Sequence, residues 1–495
     1  MSRSLSIAAG AGFSFGGYII GQVVRFIFSL VVARLLGADA LGTYALAMAV
    51  IQIAEVAAIA GLDSALLRFA GMHRTDLVRR RRVIGFVLKA GFILSIAVML
   101  LLELFAGSFA GMLNGGRMLQ LAITCYAAAV PFNAATMLYG HAMQATGRIE
   151  PKIIATQVLS PVLLLSFTLL LNAFSGRESA LLFPFALSAA VTFFWIRPRL
   201  RDIAGMEPGD LRSAPVELPV LSYAMPFLLV SLLSMTAHWL DIVMLGMLTD
   251  PGTVGLYHPA ARTAGLIRAV MPAFAGMAAP IFAELHAAGS RVELERMYRL
   301  VTRWMVTVVV PPVLLFLLFP APVLSVFGVH FTKAAFVLGL LTAGAFLQAL
   351  FGISATLLAM AGHSRLSLLN ALSALIMQAS LNLLLIPRMG IEGAAVAGLV
   401  VFGVLALTRL IEVRRLLGMH PFSRSLLKPF VAGSAAALLL FIFRGWLLML
   451  PLPAFLAIAA GAAIAVYIGV LLILGLEEED REIILRAGFI IGRGR

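Results

Sequence analysis

Residues 453–475 read PAFLAIAAGAAIAVYIGVLLILG and hold no charged side chain. About 20 apolar residues, rising about 1.5 Å each as a helix, cross the hydrocarbon layer of a bilayer with every backbone N–H and C=O satisfied inside the segment. Runs of the same kind recur towards the amino terminus, at 10–33, 41–63, 84–106, 117–139, 153–172, 179–196, 219–246, 257–283, 301–320, 333–358, 367–387, 392–411 and 429–450. With 61% hydrophobic and 12% charged residues the chain departs from soluble domains, which are roughly half apolar and a quarter charged. The expectation is an all-α polytopic membrane protein of about fourteen transmembrane helices, with nothing left over for a folded extramembrane domain.

The formal net charge is +14. The basic residues fall mainly between the apolar runs, so anionic membrane lipids rather than nucleic acid are the expected partner. Cys125, the single cysteine, lies in an apolar run and reads as a small core residue without a disulfide partner. The first run is too long for a cleaved signal peptide and reads as the first span. Lysine and arginine crowd alternate connections, among them Arg79 to Arg82, Arg197 to Arg201, Arg291 to Arg299 and Arg414–Arg415, while the opposite set holds little beyond Arg34, Arg117, Arg177, Lys333 and Arg388. By the positive-inside rule both termini face the cytoplasm.

A weak internal repeat runs through the chain. Gly42-Thr43-Tyr44 returns as Gly255-Leu256-Tyr257, Met143 to Arg148 as Leu358 to His363, and Leu171-Asn172 as Leu381-Asn382. Six spans per repeat is an even number, which predicts two parallel-oriented six-helix lobes. The expected division is an amino-terminal lobe over 1–200, a cytoplasmic linker over 201–218, a second lobe over 219–416, an additional helix pair over 417–476 and a cytoplasmic tail over 477–495. Pro226, Pro259, Pro272, Pro280 and Pro311-Pro312 are expected to bend the spans that carry them.

Residues 33–69, ARLLGADALGTYALAMAVIQIAEVAAIAGLDSALLRF, and residues 241–267, DIVMLGMLTDPGTVGLYHPAARTAGLI, resemble the paired hairpins of the polysaccharide flippases. These are lipid-linked oligosaccharide transporters of the multidrug/oligosaccharidyl-lipid/polysaccharide exporter superfamily. The resemblance covers most of the first twelve spans and does not name a sugar. It implies alternating access. The cargo would be a polyprenyl-diphosphate-linked oligosaccharide moved from the cytoplasmic to the outer leaflet of the inner membrane. That step would serve O-antigen (lipopolysaccharide), exopolysaccharide or capsule synthesis, beside a polysaccharide polymerase. Relatives that export drugs with an ion or flip the peptidoglycan precursor are the alternatives.

Charge within the spans marks the candidate site, because a central Arg, Asp or Lys costs about 2.5–3.5 kcal/mol to insert. Arg25, Arg262 and Arg268 are candidates for the diphosphate, since guanidinium forks match phosphate oxygens and stay ionised. His238 is a further cavity candidate, set against a buried structural role beside Trp239. In the repeat register Arg268 falls on Glu55 and His238 on Arg25. A gating ion pair of Glu55 with Arg268, and an ion pair of Asp241 with Arg262, are the corresponding expectations. No catalytic constellation, metal-ligand spacing or nucleotide loop is visible, so neither an enzyme nor a cofactor is expected. A membrane-embedded glycosyltransferase or polymerase would need an acidic motif on a long outer loop.

Overall fold

The computed structural model describes residues 3–73, 76–204, 214–475, 477 and 480. Arg74, residues 205–213 of the 201–218 linker and the tail from 481 onward lie outside them. The described residues form an all-α polytopic protein. In chain order the helices are α1 (Arg3–Leu36), α2 (Ala38–Ile59), α3 (Leu62–Met72), α4 (Leu77–Met112), α5 (Gly116–Ala127), α6 (Val130–Ala145), α7 (Glu150–Ile153), α8 (Ser160–Phe174), α9 (Arg177–Leu182) and α10 (Pro184–Ala204). There follow α11 (Leu218–Leu248), α12 (Pro251–Arg268), α13 (Val270–Ala287), α14 (Arg291–Leu318), α15 (Pro320–Ser325), α16 (Ala335–Phe351) and α17 (Ile353–Met360). The last are α18 (Ser364–Met389), α19 (Ile391–Leu416), α20 (Leu427–Ile442), α21 (Arg444–Leu448) and α22 (Leu452–Ile473).

Among the described residues 13 helical segments are long and apolar enough to cross a membrane. The expected fourteenth, 179–196, is occupied by α9 and α10, whose second half carries Arg197, Arg199 and Arg201. Several spans are two helices joined at a break: α2–α3, α5–α6, α12–α13 and α16–α17. The second span therefore runs from Ala38 to Met72 and does not end at 63. A π-helical turn, Ile154–Leu159, separates α7 from α8. Pro226, Pro259, Pro280 and Pro311-Pro312 sit inside helices, whereas Pro272 lies in the first turn of α13, just after the break at Ala269. Cys125 is half-buried rather than sealed in a core.

Between lipid-facing helices, association relies on close van der Waals contact and small residues, because lipid tails are as apolar as leucine. The repeated glycines show this directly. A Cβ on Gly42 would meet the carbonyl of Pro251, and one on Gly255 the carbonyl of Ala38, each closer than 2 Å, so the starts of α2 and α12 cross backbone to backbone. Asp250 caps the start of α12. Its carboxylate accepts from the Thr253 amide at 3.0 Å and the Thr253 hydroxyl at 2.6 Å, and the hydroxyl chiefly holds its pKa below the usual carboxylate range.

Packing divides the chain into two compact units: Met1–Pro259 with Ala379–Ala394, and Ala260–Gln378 with Ala395–Arg495. These packing units are a different quantity from the repeat halves of the sequence. In the first unit Leu62, Leu66, Ile84, Val87 and Leu138 form a core to which α11 contributes Val220 and Ala224. In the second, Phe282, Tyr298, Met305, Ile353 and Leu357 form one core. The added pair α20 and α22 packs on α14 through Val306, Ala432, Ala436 and Tyr467, with the Tyr467 hydroxyl donating to the Thr307 carbonyl at 3.0 Å.

Candidate functional site in the first unit

The break between α2 and α3 borders a cavity with a polar wall within the spans of the first unit. Ala60 and Gly61 both adopt left-handed backbone, with φ of 51° and 72°. At Ala60 this conformation is strained, and at Gly61 it is free of the Cβ penalty. Gly61 is also required by space: a Cβ there would lie 2.3 Å from the Ala224 carbonyl oxygen and 2.9 Å from the Leu228 nitrogen of α11. Non-helical backbone within a span persists where it lines a cavity or is buried in protein, and Gly61 is buried and lines one.

That cavity has a volume of about 530 Å³. Gln52 and Glu55 of α2 and Asp63 of α3 face it from one side. Asn133 of α6 and Ser231, Ser234 and His238 of α11 complete its polar wall. Asn133 donates to the Glu55 carboxylate at 2.7 Å, and the Trp239 indole N–H donates to Gln52 at 3.2 Å. The His238 ring meets Trp239 edge to face at 5.3 Å. Among its lining residues are two carboxylates and one imidazole but no arginine or lysine.

Of the residues expected from the sequence, Glu55 and His238 are brought to this cavity. Arg25 is not among its lining residues. It is held on the π-helical turn, where both terminal nitrogens of its guanidinium donate to the Gln157 side-chain oxygen, at 2.5 and 3.4 Å. The π-turn displaces one residue per turn from the regular register, a device frequent at functional sites. A Cβ on Gly21 would lie 2.5 Å from the Gln157 carbonyl oxygen and 3.2 Å from Arg25 Nη1, so the missing side chain sets this contact. Asp241 accepts from Asn382 at 2.9 Å and from the Tyr257 hydroxyl at 3.2 Å. Asn382, an element of the sequence repeat, is thus a buried donor to a carboxylate. Arg262 and Arg268 belong to the second unit, where the Arg268 guanidinium lies 6.0 Å above the Phe402 ring.

Sequence reading missed a second polar cluster beside the cavity. Lys152 of α7 donates to Gln144 at 2.8 Å and lies 2.9 Å from Nε2 of the buried His141, within electrostatic reach of Asp63. The His141 Nδ1–H donates to the Met137 carbonyl at 2.8 Å, which leaves Nε2 to accept from the ammonium. Gly140 makes room for Lys152, whose Cγ would lie 2.7 Å from a Cβ at that position. The motif around Arg148 and Lys152 was legible as a basic loop only, because the partners are fixed by the packing of α6 on α7.

A group of three or more His, Cys, Asp or Glu able to hold a metal ion is absent from the described residues. Comparison with known structures gives the fold. The chain is similar to one titled lipid II flippase MurJ in an inward closed conformation, at 13% identity and a TM-score of 0.74, covering 93% of this chain and 98% of that one. It is also similar to an inward-facing multidrug resistance MATE family transporter of the MOP superfamily, at 16% identity and a TM-score of 0.66, covering 82% and 98%. An outward-facing structure of the same description matches at 17% identity and a TM-score of 0.59, covering 83% and 95%. No curated protein matches the sequence. The sequence model of the family described as polysaccharide biosynthesis protein matches residues 7–286, more than half of the chain. A polytopic helical protein, with this fold and that match over more than half of its length, belongs to the polysaccharide biosynthesis protein family.

Proposed function

We propose that this protein flips a polyprenyl-diphosphate-linked oligosaccharide across the cytoplasmic membrane, from the inner to the outer leaflet, for surface polysaccharide synthesis. The observation that carries the reading is a polar cavity set among membrane-spanning helices in a member of a polysaccharide biosynthesis family. A glycan passing through a bilayer needs hydrogen-bonding walls in place of water, and Gln52, Asn133, Ser231 and Ser234 supply donors and acceptors. The guanidinium groups that would meet the diphosphate are Arg25 in the first unit and Arg262 and Arg268 in the second. The basic connections support a topology with both termini in the cytoplasm.

One feature of the cavity favours a second role within the same cycle. Two carboxylates and an imidazole with no cationic side chain among the lining residues suit a monovalent cation or a proton better than they suit a phosphate. Glu55 and Asp63 are therefore read as the coupling site, with anion binding left to the arginines elsewhere. An ion-coupled drug exporter would share this feature.

Reconstitution separates the two substrates. Proteoliposomes loaded on the inner leaflet with a polyprenyl-diphosphate oligosaccharide are challenged from outside with a glycan-cleaving enzyme. The expected result is cleavage that depends on the protein and falls by about tenfold or more in Arg25→Gln, the loss of one charge-assisted contact to phosphate. Efflux of a lipophilic cation with no glycan exposed would replace the flippase reading with the exporter.

A further inference from the structure

Three segments distant in sequence meet at one end of the second unit: the first turns of α14, the loop over 420–426, and the chain that follows α22. They enclose a cavity of about 250 Å³ into which Arg296, Arg299 and Arg303 of α14 project, opposite Ser423 and Ser425 of the loop. Glu295 and Glu477 also border it. A second, apolar groove of about 480 Å³ adjoins it and shares Ser423 as a wall. Phe422, Leu427, Phe430 and Leu350 line that groove, with Arg424 at its edge.

The two cavities straddle a polarity boundary. In α14 the uncharged run begins at Trp304, so Arg299 and Arg296 sit about 8 and about 12 Å before it along the axis. Leu427 and Phe430 lie in the first turn of the apolar helix α20. Phe422 lies in the loop itself and is 46% exposed, held in place by Phe351 at 6.3 Å. An exposed phenylalanine beside an arginine cavity suits neither water nor a soluble anion. It suits a molecule with a phosphate at one end and an acyl chain at the other.

Charge points the same way. The lining residues and their ion-pair partners comprise Arg296, Arg299, Arg303, Arg424 and Lys428 against Glu295, Glu477 and Asp480. Among the described residues, five cations face three carboxylates. The arginines are also positioned in advance: Glu295 holds Arg299 at 2.6 Å, and the His420 carbonyl accepts from Arg299 Nε at 3.3 Å. Basic pockets among membrane helices recruit anionic head groups in this way.

We propose that this pair of cavities seats one anionic glycerophospholipid of the surrounding bilayer, its phosphate between Arg296, Arg299 and Ser423 and an acyl chain along Phe422, Leu427 and Phe430. The site is separate from the polar cavity of the first unit. It ties the lipid's occupancy to the packing of α14, α20 and the carboxyl-terminal segment, the elements that hold the second unit together.

Native mass spectrometry of the purified full-length protein, with phosphatidylglycerol and phosphatidylcholine of the same chains, tests this. Phosphatidylglycerol should be retained in preference by about thirtyfold, the scale two interfacial arginines exert on an anionic lipid. The preference should collapse in R296Q/R299Q and persist in R414Q/R415Q, which removes two exposed arginines from the last turn of α19. Equal loss in both variants would overturn the proposal in favour of general surface attraction. A groove variant, F422Q/L427Q, removes no charge and should also lose the lipid; full retention would overturn the acyl-chain assignment and with it the proposal. Two competitors complete the test. Displacement of phosphatidylglycerol by millimolar glycerol 1-phosphate would make this a soluble-anion site, and displacement by equimolar polyprenyl diphosphate would make it a substrate site. Either overturns the proposal without touching the flippase reading, whose assay is glycan exposure.

Discussion

Glu55 shows what a single intramembrane carboxylate requires. Its partner is Asn133, 78 residues away, whose amide donates at 2.7 Å. Removing that donor leaves a carboxylate short of one bond, which costs about 1–3 kcal/mol where the site stays dry. Asn133→Ala is therefore expected to lower thermal stability in detergent, whereas Glu55→Gln, which keeps an acceptor for Asn133, is expected to change it by less than about 1 kcal/mol. In the glycan-exposure assay E55Q should nonetheless lose activity, because the amide cannot take up a cation or proton. An E55Q protein with full activity would remove Glu55 from the coupling role. The residue scale also shows why the site was half legible. Glu55 and His238 stood out because charge and imidazole are rare inside a span. Asn133, Gln52 and the two serines did not, because uncharged polar side chains are common there and only the packing of α2, α6 and α11 decides which of them share a cavity. Arg25 was legible as a charge within a span, but its partner Gln157 was not, since it sits on a π-turn that no hydrophobic period announces.

At the scale of elements, the apolar runs predicted the spans, and the structure explains where they differ. The apolar run reads as ending at 63, whereas α3 carries the second span past the left-handed turn at Ala60–Gly61 to Met72, and the expected span at 179–196 holds α9 and the apolar first part of α10, before Arg197, Arg199 and Arg201. The repeat was more informative than its weak similarity suggested. Gly42 and Gly255 were matched by sequence alone, and in three dimensions each lies against the backbone next to the other: the Gly42 Cβ position is 2.8 Å from the Gly255 nitrogen. A methyl group at either position must push backbone apart, and overpacking of this kind typically costs about 1–3 kcal/mol. Gly42→Ala and Gly255→Ala are each expected to fall at the upper end of that range in thermal unfolding. Gly461→Ala, in α22 with no heavy atom within 4 Å of its Cβ position, should be neutral or stabilising. Equal behaviour of all three would mean that the crossing of α2 and α12 is not a tight contact in the membrane.

For the whole molecule, the carboxyl-terminal segment matters more than its place in the sequence suggests. The acidic stretch after the last span reads as a solvated start to a surface-lying tail, yet Asp480 reaches back to α14. Its two oxygens accept from the Arg303 guanidinium at 2.9 and 2.8 Å, and one also accepts from the Trp304 indole at 2.8 Å. Glu477 pairs with Lys428 at 2.7 Å, and Lys428 donates to the Gly475 carbonyl at the same distance. Arg303 is 5% exposed, so its charge has little recourse to water when Asp480 is lost. Breaking a buried pair from one side costs about 3–5 kcal/mol, whereas replacing both partners by apolar groups is often neutral. Asp480→Asn is expected near the lower bound of that range, because the Asp480 side chain is 21% exposed, and the double variant R303M/D480L is expected to recover most of the loss. Thermal unfolding of the full-length protein reads both. A double variant as unstable as D480N would show that the segment acts through the Trp304 and Lys428 bonds and not through the arginine. Recovery would show that the last span and α14 are locked by one buried charge pair, with the lipid cavity of Arg296 and Arg299 built on the same helix one to two turns away.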